Sequence, residues 1–379
     1  MNIIQEPNNS GLYFHSSIPD IIIGKTDAST EITFELLKAG ISILAEKYVY
    51  DSDSKITVHN LTEIFEKYFD EKMFVPSESV DFIATGLGPL EFTYHITEGA
   101  TVHTTTFKIV RCDSEMSVDA STWLAKNFLT RSYRGKRTAK WWTEFLSFLQ
   151  LPAYGICTKN YKLVYLVNGV ETELIGTLGA IAVCAAPQIV TANVGIGQIF
   201  NLFIPGGEPN INVTVCRFEI WMTGTEFETN KYGYLVDNTP YRTIQPFVFI
   251  NSFGVLETFT ATGQIYDAKK AVYTFSQIDR RYKKIANDFK SEKTCNSGYL
   301  SEAEMDWLDD FIRSFAVGVY NFQNLLVDEI TVLEVEKNNS NANELMAFSF
   351  NYRRSSGNHL QFIQAANGLF DRTFDNTFE

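Results

Sequence analysis

Residues 161–176 read YKLVYLVNGVETELIG, and the reading of this run decides the fold class. Apolar residues alternate on both sides of Asn168-Gly169. A type I′ turn accepts that pair at least cost, because both of its central positions need positive φ. A period of two puts the apolar residues on one face of each strand. The stretch therefore predicts an antiparallel hairpin with a buried side.

The same pattern recurs in both directions. Ile32, Phe34 and Leu36 alternate, Lys38-Ala39-Gly40 can turn, and Ile41 and Ile43 resume; FTYHI and FKIV flank a second turn around Glu98-Gly99. Near the other end, Met346, Phe348, Phe350 and Tyr352 alternate with Ala347, Ser349 and Asn351. This spacing predicts a mainly β fold of tandem antiparallel β-sandwich (Ig-like) domains with a few short covering helices. The expected layout is an N-terminal arm (1–18), a sandwich (19–112), a helical and basic linker (113–143), a second sandwich (144–244), a β domain (245–354) and a docking tail (355–379).

Three short helices are legible. One follows Asn60 as N-cap, with Leu61, Ile64, Phe65 and Tyr68 on one side; another follows Asp119 or Ser121 through Trp123, Leu124 and Phe128. The strongest signal is SEAEMDWLDDFIRSF at 301–315. Ser301 and Glu304 form a capping box, Leu300 staples onto Met305, and Leu308, Phe311, Ile312 and Phe315 make an apolar stripe, with Trp307 beside it. Glu302, Glu304, Asp306, Asp309 and Asp310 fill the other face, which reads as a solvated face and not as a metal site.

A chain of 379 residues can hold two or three domains with their own cores. Its net charge of −13 argues against a nucleic-acid-binding protein. Cys112, Cys157, Cys184, Cys216 and Cys295 form no C-x-x-C pair and read as reduced thiols. The opening MNIIQEPNNSGLYFHSS lacks the basic and apolar regions of a signal peptide, so cytoplasmic synthesis is expected. Residues 174–207 carry no charge, yet Pro187, Gln188, Thr191, Asn193 and Gln198 interrupt them. Buried strands are expected there and not a membrane span.

Chemical motifs are scarce. His95 and His103 face each other across the expected turn at Glu98-Gly99 but lack a third ligand, and Asp51–Lys55 reads as a turn and not a calcium loop. In NVGIGQIF, Phe200 stands where a dinucleotide fingerprint needs its third glycine. No cofactor, metal or catalytic residue is assigned. The interaction candidates are a basic island, Arg131, Tyr133, Arg134, Lys136, Arg137 and Lys140 with Trp141 and Trp142, and the tail aromatics Phe362, Phe370 and Phe374. The island reads first as a linker complementing the acidic surface of its own or a neighbouring subunit. Its aromatics could also stack on an anionic glycan or nucleic acid.

Residues 247–352 resemble the C-terminal part of tail-tip and baseplate structural proteins of Bacteroidota phages and prophages. In that family an Asn-Ser-x-Gly segment leads to a Thr-Gly turn, and an Asn-x-Gly-Tyr-Leu segment leads to a helix with Trp-Leu. Here those are Asn251, Ser252, Gly254, Thr262, Gly263, Asn296, Gly298, Tyr299, Leu300, Trp307 and Leu308. The hairpin EITFELLKAG…ILAEKYV and DASTWLAKNFLT are similar to the family less specifically. The resemblance implies a tail, hub or baseplate subunit of a crAss-like or related phage, located in the virion and assembled in the host cytoplasm. Its implied partners are other tail subunits, with further copies of itself in a ring or hub. A host-surface glycan adhesin is the alternative function, and a wall- or capsule-degrading enzyme the third.

Overall fold

In a computed structural model the structure describes residues 1–26, 30–59, 61–69, 81–114, 116, 118–132, 135–140, 142–203, 213–278, 281–321, 326–338 and 346–355. The chain is mainly β, in largely antiparallel sheets with short helices laid on them. Asn168 and Gly169 take φ of 52° and 80°, so the fold-deciding hairpin has its expected turn. Ala39 and Gly40 do the same between Glu31–Lys38 and Ile41–Val49.

The first unit is a sandwich. Asn2–Gln5, Ile21–Gly24 and Lys55–Val58 form one sheet; Leu12–Phe14, Thr101–Val110, Leu90–Glu98, Glu31–Lys38 and Ile41–Val49 form the other. Ile21, Ile23, Ile56 and Val58 meet Phe34, Phe92, Tyr94 and Phe107 between them, and the helix Leu61–Glu66 adds Leu61 and Phe65. The expected cap of that helix, Asn60, lies outside the described residues.

The second unit packs a sheet of Lys136–Thr138, Tyr232–Val236, Val213–Gly224, Cys157–Val167 and Val170–Ile181 against Phe145–Gln150, Gln188–Asn193 and Phe82–Ala84. Strand pairing crosses the boundaries expected from sequence. Asn2–Gln5 and Leu12–Phe14 are strands of the first sandwich and not a separate arm, Phe82–Ala84 completes a sheet of the second unit, and Lys136–Thr138 is an edge strand and not linker. A shared cluster of Phe14, Leu124, Leu149, Ile189, Phe253 and Val255 joins all three sections.

The third unit is a sheet of seven strands in the order Leu256–Ala261, Gln245–Ile250, Val317–Asn321, Leu326–Asn338, Ala347–Arg354, Arg281–Asn296 and Ile265–Ile278. The chain passes from one edge strand to the other through residues 262–264 alone. Six strand spacings in a flat sheet would separate those edges by ~29 Å, whereas so short a link spans at most ~14 Å. The sheet must therefore roll up. Its ends meet where the Thr262 amide donates to the Ser297 carbonyl at 3.1 Å and the Asn296 amide to the Gln264 carbonyl at 3.0 Å.

Phe247, Phe249, Phe259, Phe348 and Phe350 line the inside of the roll, and Met305, Trp307, Leu308 and Phe311 plug it. The capping box at Ser301 is present: the Glu304 amide donates to Ser301 Oγ at 3.2 Å, and the Ser301 amide to Glu304 Oε2 at 2.8 Å. Four expectations need correction. The helix breaks at Leu308 into Glu302–Trp307 and Asp309–Arg313, leaving Phe315 80 % exposed. Glu304 and Asp310 are buried, one by the cap and one by an ion pair. Residues 174–207 include a helix, Ile196–Phe203, as well as strands. Finally, the turn falls at Gly99-Ala100, so His95 pairs with Thr104 and His103 with Ile96; this shift of one residue puts the two histidines on opposite faces.

Ser301→Ala should lower the unfolding free energy by about 1 kcal/mol, and Trp307→Ala by roughly 3–5 kcal/mol, both read by urea denaturation. A chelator should leave the melting temperature unchanged; a large drop would instead give Asp306, Asp309 and Asp310 an ion to hold.

Candidate functional site

The basic island is where the sequence concentrates candidate contacts, and its geometry follows from one parallel strand pairing. Lys136, Arg137 and Thr138 pair with Tyr234, Leu235 and Val236, which turns Lys136 and Thr138 inward and Arg137 outward. Lys136 is thereby buried. Its ammonium donates to Glu144 Oε2 at 2.7 Å, to the Thr258 carbonyl at 2.7 Å and to Thr258 Oγ1 at 3.2 Å, and lies 4.7 Å from the centre of the Trp307 ring. Three donors with three acceptors leave the charge fully satisfied.

Glu257 lies beside this pair. Its carboxylate accepts from Trp307 Nε1 at 2.9 Å, Asn251 Nδ2 at 2.8 Å and Thr130 Oγ1 at 2.7 Å. Burial pushes its pKa up, against the pull of Lys136 and of the hydrogen bonds from Asn251 and Thr130. Arg131 donates to Asp310 Oδ1 at 2.9 Å, whose other oxygen accepts from Ser252 Oγ at 3.0 Å. Arg137 donates to Tyr241 Oη at 3.3 Å and to the Tyr299 carbonyl at 3.1 Å, with Asp237 and Glu304 within 3.8 Å.

Two island residues expected at the surface are therefore interior. Lys136 is paired inside the chain, and Trp142 is 4 % exposed. Arg131 and Arg137 reach acidic partners on the third unit, and Lys140 is half-buried. Tyr133, Arg134, Trp141, Phe362, Phe370 and Phe374 lie outside the described residues. What the island forms is a polar junction between the second and third units.

A second buried cation lies at the heart of the second unit, where sequence reasoning placed none. Lys159 is fully buried and donates to the Asn193 carbonyl at 2.7 Å and Gln198 Oε1 at 2.8 Å, with Asp81 at 3.6 Å. Burial depresses its pKa to about 8, with Asp81 pulling the other way. The signal was present in the sequence, because Lys159 is in phase with the inward residues Cys157, Tyr161 and Leu163.

Several other polar groups are committed to structure. Asp51 Oδ1 accepts from the amides of Asp53 and Lys55 at 2.9 and 2.8 Å, which makes the DSDSK stretch a turn. His15 Nδ1 accepts from the Cys112 amide at 2.9 Å, and burial holds its pKa down. An open groove of about 440 Å³ runs past Tyr13, Lys108, Asp119, Leu151 and Pro187, but Asp119 there caps the helix Ala120–Leu124. Among the described residues, no three His, Cys, Asp or Glu side chains converge as metal ligands. No described helix is long and apolar enough to cross a membrane.

No family model and no characterised protein sequence matches the chain. Solved structures with which it aligns include the extracellular domains 3–5 of Drosophila OTK, at 8 % identity and a TM-score of 0.21, covering 78 % of this chain and 91 % of that one. Titin domains I67–I69 align at 6 % identity and a TM-score of 0.18, covering 78 % and 92 %. Salmonella alpha-2-macroglobulin aligns at 9 % and 0.19, covering 90 % and 25 %. At such TM-scores these likenesses carry no conclusion about function.

Lys136→Met should cost roughly 3–5 kcal/mol, because it leaves Glu144 charged and buried without its cation. Adding Glu144→Leu should return most of that loss, measured by urea denaturation of both variants.

Lys159 gives a pH signature with a definite sign. Below about pH 8 folded and unfolded chains both carry its proton, and burial costs stability. Between there and the ordinary lysine value of ~10.4 the folded chain sheds the proton first, so stability rises with pH. Wild type should gain on Lys159→Met across that window in denaturation curves; parallel pH profiles would show that Lys159 titrates normally.

Proposed function

We propose that this chain is a structural component of a phage tail, at the tip, hub or baseplate, and that it works by assembling with other subunits. The observation that carries this reading is where the residues of the family resemblance fall. Asn251 Oδ1 accepts from the amides of Phe253 and Val255 at 3.0 and 3.3 Å, and Gly254 holds φ of 73° in the same turn. A Cβ at Gly263 would collide with Asn296, and one at Gly298, where φ is 80°, with Thr262. Leu300 bridges Met346, and Trp307 plugs the roll.

Each of these residues shapes or closes the rolled sheet. A motif devoted to backbone geometry suits a building block, whose task is to hold a surface in a fixed shape. The glycan-adhesin alternative is weakened by the burial of Trp142, which removes one of its stacking platforms.

In this reading the chain resides in the virion, beside other tail subunits and further copies of itself. Mass spectrometry of purified particles from the phage that encodes it should find the chain at a fixed copy number. Its absence from intact particles would overturn the proposal.

A further inference from the structure

The rolled sheet has one extension outside its core. Ile265–Ile278 pairs only with Arg281–Asn296 among the described strands, and that second strand meets the rest of the sheet only through Lys293–Asn296, opposite Ser349–Tyr352. From the Ala268–Glu292 pair to the Ile278–Arg281 pair the ladder continues with two strands alone. At about 3.3 Å per residue that is a ribbon roughly 35 Å long. A lone two-stranded ribbon is marginally stable in water, so its length points to a surface that covers it.

The charge of the ribbon indicates which kind of surface. Residues 268–291 contain five Lys and two Arg against two Asp, in a chain with net charge −13. The rest of the molecule is correspondingly more acidic. The end of the rolled sheet away from the ribbon presents exposed Glu302 and Asp306 on the helix and Glu334 and Glu336 on Leu326–Asn338. None of the four has an ion-pair partner among the described residues. Glu334 and Glu336 pair with Asn351 and Ser349, level with the ribbon's base, while the ribbon leaves in the opposite direction past Tyr352. A chain's own ribbon therefore points away from these four carboxylates.

We propose that the hairpin is an assembly arm, and that its basic ribbon seats on the acidic end of the rolled sheet of a second copy. The contact is head-to-tail, so it builds rings or stacks, not closed two-fold dimers. It rests on the assembly reading above and goes past it by naming the two surfaces that meet.

The test uses the full chain in sedimentation velocity at low and high salt. Wild type should self-associate at low salt and weaken at high salt. Lys283→Glu with Lys284→Glu, and separately Glu334→Lys with Glu336→Lys, should each weaken association by about tenfold or more. Mixing the two reversed variants should restore it, which a folding defect in either could not do. Self-association indifferent to both reversals, or a wild type that stays monomeric at every concentration, overturns the proposal. So does an arm reversal that abolishes binding to a DNA oligonucleotide while leaving self-association intact, since the arm would then be a nucleic-acid contact. A chain found in virions but failing these tests sinks the arm alone and leaves the tail assignment standing.

Discussion

The third unit depends on a constraint of length: residues 262–264 must carry the chain from one edge of a seven-strand sheet to the other. So short a link forces closure, and closure brings Thr262 and Gly263 against Asn296, Ser297 and Gly298 so tightly that side chains at the two glycines would collide with their neighbours. A roll of this size encloses more space than its strands fill. Phe247, Phe259, Phe348 and Phe350 point into it, and the capped helix supplies Met305, Trp307 and Phe311 to complete the packing. The helix at Ser301 is thus required by the closure, which explains why one sharply written helix sits among strands.

The plug in turn organises the polar junction. Burying Trp307 without a partner for its indole N–H would cost stability, and Glu257 provides that partner from the edge strand Leu256–Ala261. A buried carboxylate needs donors and a nearby cation. Asn251, Thr130 and Lys136 serve that need, and Lys136 brings Glu144 with it. These residues come from the island, the second unit and the third, so the three segments are locked in one relative position by groups that are each costly to leave unpaired. Taking the island's charges inward spends on internal architecture what the sequence offered as a surface.

Local signals in the sequence were reliable where the physics is local. Asn168-Gly169 and Ala39-Gly40 form turns because only positive φ closes them, and Ser301 with Glu304 caps because three residues suffice. Signals failed where the outcome depends on residues far away. The edge pairing that buries Lys136 is set by Tyr232–Val236, about a hundred positions along the chain. The break at Leu308, where ψ is −3°, has no Gly or Pro beside it to announce it. His95 and His103 were misplaced by a turn one residue off, enough to invert a face. The resemblance residues were legible as turn and anchor positions, but their joint role in closing one sheet was not.

The arrangement also separates stability from assembly. The interior is held by aromatic packing and satisfied buried ions, which tolerate little change. Among the described residues the hairpin outside it shares four ladder positions, Lys293–Asn296, with the rest of the sheet. In the proposed assembly, an acidic body and a basic extension on the same chain keep free copies apart through like-charged bodies, while leaving one oriented contact through which they join.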